Sequence, residues 1–148
     1  MSTNKLIKVA SVIAFGSLFT VTGVSHADAQ PQFTQDHHVV CFTMAIGPGK
    51  SGPSARAPIS FGYKVNCNTA PTSRHIEYVL HRKNLGTGRN EIQAFGRTYE
   101  TTAVMEETFF SECSGETLYE FWTEVNHMAE HGNTDSDQVF SDHVLLAC

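Results

Sequence analysis

Ile59-Ser-Phe-Gly-Tyr-Lys-Val-Asn-Cys67 decides the fold. Ile59, Phe61, Tyr63, Val65 and Cys67 alternate with Ser60, Gly62, Lys64 and Asn66. A period of two over nine residues puts every apolar side chain on one face, as in a strand packed on one side and wet on the other. Upstream, Gly47 to Pro58 (GPGKSGPSARAP) reads as a loop. Before it, His38 to Ile46 has Val40, Phe42, Met44 and Ile46 on one face, with Cys41 and Thr43 on the other.

Downstream, Ile76, Tyr78 and Leu80 alternate against His75, Glu77 and His81, and Asn84 to Asn90 is a turn of the hairpin kind. Further strands are expected over Glu91–Tyr99, Thr101–Phe110 and Gln138–Cys148. Thr117 to Met128 admits two readings. Leu118, Phe121, Trp122, Val125 and Met128 fall at helical spacing, whereas Tyr119, Phe121, Thr123 and Val125 alternate. Aromatic and β-branched content, together with the Ser114-Gly115 turn signal, favours the strand. The chain is then all-β, with about seven short strands, the pattern of an immunoglobulin-like β-sandwich.

The 148 residues are 41% hydrophobic and 10% aromatic, enough for one packed domain and too apolar for a disordered chain. Lys5 and Lys8 precede a short apolar run from Val9 to Val24, and Ala27-Asp28-Ala29 follows. This is the layout of a cleaved secretory signal over residues 1–29, leaving one domain at 30–148 and no second run able to span a bilayer. An exported domain with Cys41, Cys67, Cys113 and Cys148 reads as carrying two disulfides. The cysteines are widely spaced with no Cys-x-x-Cys pair, which argues against a zinc site built from thiolates. Of three pairings, Cys41–Cys67 with Cys113–Cys148 is favoured, because each joins consecutive elements and the second ties down the last residue.

The layout resembles that of small secreted four-cysteine immunoglobulin-like proteins of actinobacteria. The likeness lies in Tyr63-Lys-Val-Asn-Cys67, the alternating segment Ile76–Arg82, Cys113 ahead of Tyr119-Glu-Phe-Trp122, and the terminal Val144-Leu-Leu-Ala-Cys148. The resemblance implies the sandwich fold and export, and it implies no catalytic residue.

Few motifs carry chemistry. His127-Met-Ala-Glu130-His131 has the His-x-x-Glu-His order of an inverted zinc-protease motif, but that chemistry needs a helix, and Gly132-Asn133 would end one at once. Across a hairpin whose polar loop runs from Met128 to Asp137, His127, His131 and His143 are candidate ligands for a divalent metal. Asn133, Asp135 and Asp137 have the one-three-five spacing of a calcium loop but lack its glycine and its distal Glu. No resident cofactor is expected beyond such modest divalent-ion binding. No Gly-x-Ser-x-Gly elbow exists for a serine hydrolase.

Charge is unevenly distributed. The chain carries a formal net charge of −5, which argues against general nucleic-acid binding. Residues 30–99 hold eight Lys and Arg against three acids, while residues 100–148 hold eleven acids and no Lys or Arg. The halves either neutralise each other between neighbouring strands or present two opposed poles.

These readings favour a secreted binding module without catalysis, directed at an extracellular protein or surface ligand. Lys50 and Arg56, in the Gly47–Pro58 loop, are its candidate binding residues. The alternatives are a small metal-dependent extracellular hydrolase using His127, Glu130 and His131, and a secreted protease inhibitor or toxin-like effector presenting the Gly/Pro-rich loop.

Overall fold

The computed structural model describes residues 38–148; the expected signal over 1–29 and the polar leader after it lie outside the described residues. Eight strands form two sheets: β1 (Cys41–Lys50), β2 (Ile59–Cys67), β3 (Ser73–Asn84), β4 (Asn90–Thr98), β5 (Val104–Ser111), β6 (Leu118–Glu130), β7 (Thr134–Phe140) and β8 (Val144–Ala147). The smaller sheet runs β1-β2-β5, and the larger runs β4-β3-β6-β7 with β8 beside the first part of β6. All pairings are antiparallel. The architecture is a β-sandwich, with no helix among the described residues long and apolar enough to cross a membrane.

The alternation in β2 does what its pattern dictates. Ile59, Phe61, Tyr63, Val65 and Cys67 are all buried between the sheets. Opposite them lie Ile76 and Leu80 of β3 and Phe121, Val125 and Ala129 of β6. Thr117–Met128 resolves as strand: Phe121, Thr123, Val125, His127 and Ala129 face inward, a period of two with no helical stripe. Tyr78 and Phe109 stack at 4.0 Å across the middle of the core. Gly96 lets the Tyr78 ring lie flat on β4, since a Cβ there would occupy the space of the ring.

Both disulfides have the expected pairing, Cys41–Cys67 and Cys113–Cys148, and they fit an oxidising environment. Cys41 and Cys67 face each other across the β1–β2 ladder, which turns Cys41, Thr43 and Ala45 inward. Val40, Phe42 and Met44 consequently point to solvent, at 61%, 65% and 47% exposure.

Three boundaries differ from the sequence reading. β1 continues through Gly47-Pro48-Gly49, because a bulge between Ile46 and Gly49 accommodates the proline on an edge strand, where a missing donor costs nothing. The expected hairpin loop over Met128–Asp137 shrinks to residues 131–133, with Gly132 at φ 72° making the turn, so Asp135 and Asp137 sit in β7 rather than in a loop. The expected final strand over 138–148 is instead two strands, β7 and β8, interrupted at Ser141-Asp142-His143. Ser141 ends β7 by exchanging hydrogen bonds with the Thr123 backbone, accepting from its N–H through the hydroxyl and donating its own N–H to its carbonyl.

The two charge halves pair across the ladders. Lys64–Glu106 at 3.0 Å, His81–Glu124 at 2.7 Å and Lys83–Glu120 at 3.8 Å each join a residue before 100 to one after it. Asp135, Asp137 and Asp142 join no ion pair among the described residues, and neither do Glu100, Glu107, Glu112 and Glu130.

Candidate functional site

The histidines expected around one loop separate to three environments. His127 is buried, 3% exposed, between the sheets. His131 lies in the β6–β7 turn. His143 lies on the outer face of the larger sheet, stacked on Trp122 at 4.5 Å and 3.3 Å from a Glu120 oxygen. A strand, unlike a helix, points His127 inward and sends Glu130 outward at its end, which separates the elements of the His-x-x-Glu-His motif. Asp135 is likewise engaged, accepting a hydrogen bond from the Cys41 N–H at 2.6 Å. The ligand set proposed from sequence (His127, His131, His143, Asp135 and Asp137) is thus not gathered at one point. The metal-capable cluster that does form among the described residues is Cys41, Cys67 and His127, whose two sulfurs are already bonded to each other.

His127 belongs to a buried polar cluster. Its Nδ1 lies 3.2 Å from the Thr43 hydroxyl, while its Nε2 has no hydrogen-bond partner. Burial, reinforced by the Arg74 charge, holds its pKa below the ordinary value of 6.5, with Asp135 and Asp137 opposing. Arg74, 3% exposed, donates to the Thr102 carbonyl at 2.6 Å and to Cys67 Sγ at 2.9 Å. These contacts fasten the turn before β5 to the disulfide. The imidazole, 3% exposed, links β6 to Thr43 of β1.

The loop cations also have internal tasks. Lys50 Nζ donates to the Ala55 and Ala57 carbonyls at 2.7 and 2.8 Å and lies 3.3 Å from Cys113 Sγ, so its charge is spent on closing the loop. Arg56 is exposed and pairs at 3.7 Å with the exposed Glu116.

An open groove lies elsewhere, between β1 and the β7–β8 break. About 550 Å³ in volume, it is walled by Met44, Val139, Phe140 and Val144, with Thr43 and Ala45 on one side and Asp142 on the other. Cys41 gives its N–H to Asp135, away from β2, so the alternation of an antiparallel ladder directs the N–H and C=O groups of Thr43 and Ala45 to the same edge. Next to them the edge is closed: Asn133 accepts from the Val39 N–H at 2.6 Å and donates to the Val39 carbonyl at 3.0 Å. Two side chains therefore mimic a neighbouring strand at residues 39 and 41, whereas Thr43 is buried and Ala45 half-buried at the groove.

Sequence reasoning missed this groove because it drew residues 138–148 as one strand. The polar triplet Ser141-Asp142-His143 between the apolar pairs Val139-Phe140 and Val144-Leu145 was the available signal for a break. Arg74 carried no signal, since only the fold brings it to the disulfide.

No family model and no curated protein matches the chain. Among solved structures, a crystal structure of a Bordetella pertussis protein provisionally designated ApaA is similar, with a TM-score of 0.39 and 10% identity over 74% of this chain and 92% of that one. A likeness at that level assigns no function.

Proposed function

We propose that the protein is a secreted, immunoglobulin-like binding module that acts on an extracellular protein or surface ligand without catalysis. The observation that carries this reading is the groove of about 550 Å³, which combines the apolar walls Met44, Val139, Phe140 and Val144 with the polar residues Ser141 and Asp142. Binding sites combine apolar area with a few directed polar groups. The dispersal of His127, His131 and His143 supports binding over metal-dependent hydrolysis. The strand order β1-β2-β5 facing β4-β3-β6-β7 supports the immunoglobulin-like type, because the same arrangement follows from Greek-key connections between two such sheets. Two disulfides support export.

The test is affinity capture from extracellular and cell-surface fractions of the source organism, with wild type against Phe140→Lys. Phe140 is 56% exposed on the groove wall, so the substitution alters the groove and spares the core. A partner retained by wild type and lost by Phe140→Lys is expected. Equal recovery by both proteins, or zinc-dependent hydrolysis of peptide or ester substrates by wild type, overturns the reading.

A further inference from the structure

The Cys41–Cys67 disulfide leaves two buried polar neighbours poorly satisfied. Arg74 is 3% exposed and joins no ion pair among the described residues, yet it donates to Cys67 Sγ at 2.9 Å. A disulfide sulfur is a weak, uncharged acceptor, and a buried cation without a counter-charge is costly. A thiolate at Cys67 would supply that charge. His127 is equally buried. Its Nδ1 lies 3.2 Å from the Thr43 hydroxyl, and its Nε2 has no hydrogen-bond partner. With the Nδ1 proton given to Thr43, Nε2 presents a lone pair.

A ring nitrogen of His127 and the sulfurs of Cys41 and Cys67 all lie within 4.8 Å of one another. The ligands of tetrahedral zinc stand about 3.5–3.8 Å apart, given Zn–S of about 2.3 Å and Zn–N of about 2.0–2.1 Å, so small side-chain movements close the site. Cysteine spacing along the chain counts against ligands gathered in one loop, but the fold gathers them differently. The β1–β2 register sets Cys41 opposite Cys67, and His127 faces them from β6 of the other sheet. Asp135, which accepts from the Cys41 N–H at 2.6 Å, adds a negative charge beside them.

We propose that Cys41–Cys67 is a redox-gated zinc site: a dithiol reductant opens the disulfide, and Cys41, Cys67 and His127 then bind one zinc ion. Cys41 is half-buried and Cys67 only 5% exposed, so a reductant thiolate attacks Cys41 Sγ. The S–S bond breaks, its electron pair leaves on Cys67 Sγ beside Arg74, and a mixed disulfide forms at Cys41. The second reductant thiolate attacks the reductant sulfur of that mixed disulfide, closing the reductant's own disulfide and freeing the Cys41 thiolate. Two electrons thus pass from dithiol to protein, and the dithiol's two protons go to water. Zinc takes both thiolates and the neutral imidazole, with water in the fourth position.

The test reduces the full chain with dithiothreitol, removes the reductant under anaerobic conditions, and titrates with cobalt(II) and then with competing zinc(II). Thiolate-to-cobalt charge-transfer absorption reports sulfur ligation. Reduced wild type is expected to bind one cobalt with that absorption and to exchange it for zinc, while the oxidised protein shows none. Zinc is expected to raise the urea midpoint of the reduced protein and to leave that of the oxidised protein unchanged. His127→Leu keeps both thiols and is expected to weaken zinc binding at least about tenfold, since even the outer partners of metal ligands are worth that much. Absence of the charge-transfer absorption in reduced wild type overturns the proposal. So does equal zinc affinity in His127→Leu, or undiminished binding by Cys41→Ala with Cys67→Ala, which leaves only Cys113 and Cys148. A reduced chain that loses the circular dichroism of its sheets and does not regain it with zinc overturns the proposal as well.

Discussion

The two ends of the core are built differently, although each carries a disulfide. Around Cys113–Cys148 the interior is mainly apolar: Ile59, Phe61, Leu80 and Phe121, with Tyr119, Val144 and Leu146 against them, and the hydroxyl residues Ser111 and Thr123 buried opposite Ile59 and Leu80. Around Cys41–Cys67, Val39, Tyr63, Val65, Ile76, Met105, Val125 and Ala129 share the space with buried Thr43, Arg74 and His127. Burying apolar area contributes stability in any arrangement that excludes water. Polar groups contribute only where their partners stand in one place, so they penalise every other register. The apolar end supplies adhesion and the polar end supplies alignment. Alignment is needed there because Asn133 and Asp135 must meet the backbone of residues 39 and 41.

The largest effect expected from this contrast lies at the apolar end. Phe121 has no exposed surface, and Phe121→Ala should cost about 3–5 kcal/mol in denaturant unfolding. The slope against denaturant should be unchanged, because the area exposed on unfolding changes little. A cost below about 1 kcal/mol would mean that the apolar end collapses around the gap, in the range of ordinary surface substitutions.

How much of this contrast was readable from the chain depends on what each residue needed. β2 was legible because five alternating apolar residues have only one way to be buried together. β6 was legible in part: Trp122 and Met128 added apolar positions on its outer face and produced the false helical spacing. The outward direction of Val40, Phe42 and Met44 was invisible, since alternation defines two faces without saying which is inside. Only the bond from Cys41 to Cys67 settles it. The disulfides themselves followed from spacing and chain order. The groove did not, because it depends on two strands distant in sequence, one carrying a bulge and the other ending at a three-residue break. Charge gave a partial answer: cross-half ion pairs join Lys64 to Glu106, His81 to Glu124 and Lys83 to Glu120, and the remaining acids are spread over several elements.

A smaller effect tests the polar end by pH. The folded pKa of His127 lies below its unfolded value of 6.5, with burial the main cause and the Arg74 charge the second. Between the two values the unfolded chain binds more protons, so stability rises with pH. The contribution is fully present above about pH 6.5 and is lost as pH falls from there through the folded pKa. His127→Leu removes this dependence. At pH 7.5 the variant should lie within about 1 kcal/mol of wild type, because the lost Thr43 hydrogen bond is offset by removal of the unpartnered Nε2. Urea midpoints measured from pH 8 to pH 5 should fall more steeply for wild type. Parallel curves would mean that His127 takes up a proton without cost, and the cluster would then be a wet site with no aligning role.

The smallest effect belongs outside the core, above the apolar end. His81 and His143 stack on Trp122 at 4.9 and 4.5 Å, with planes within 8° and 5° of parallel. Glu124 and Glu120 approach the two imidazoles at 2.7 and 3.3 Å. Desolvation pushes the Glu124 pKa up, but hydrogen bonds from Asn126, Gln138 and His81, with the His81 charge, together hold it below the usual carboxylate value. His143 is half exposed, and its pair with Glu120 is open to screening. Losing the ring in His143→Ala should therefore cost about 0.5–1 kcal/mol, the scale of one aromatic contact. The indole emission should shift to the red as that face of Trp122 meets water. If adhesion at this end comes from Phe121 and its neighbours, the Phe121→Ala cost should exceed the His143→Ala cost several-fold. Comparable costs would move the source of stability from the interior to the outer face, where the ring stack and its carboxylates would be holding β8 to β6 in place of the buried apolar residues.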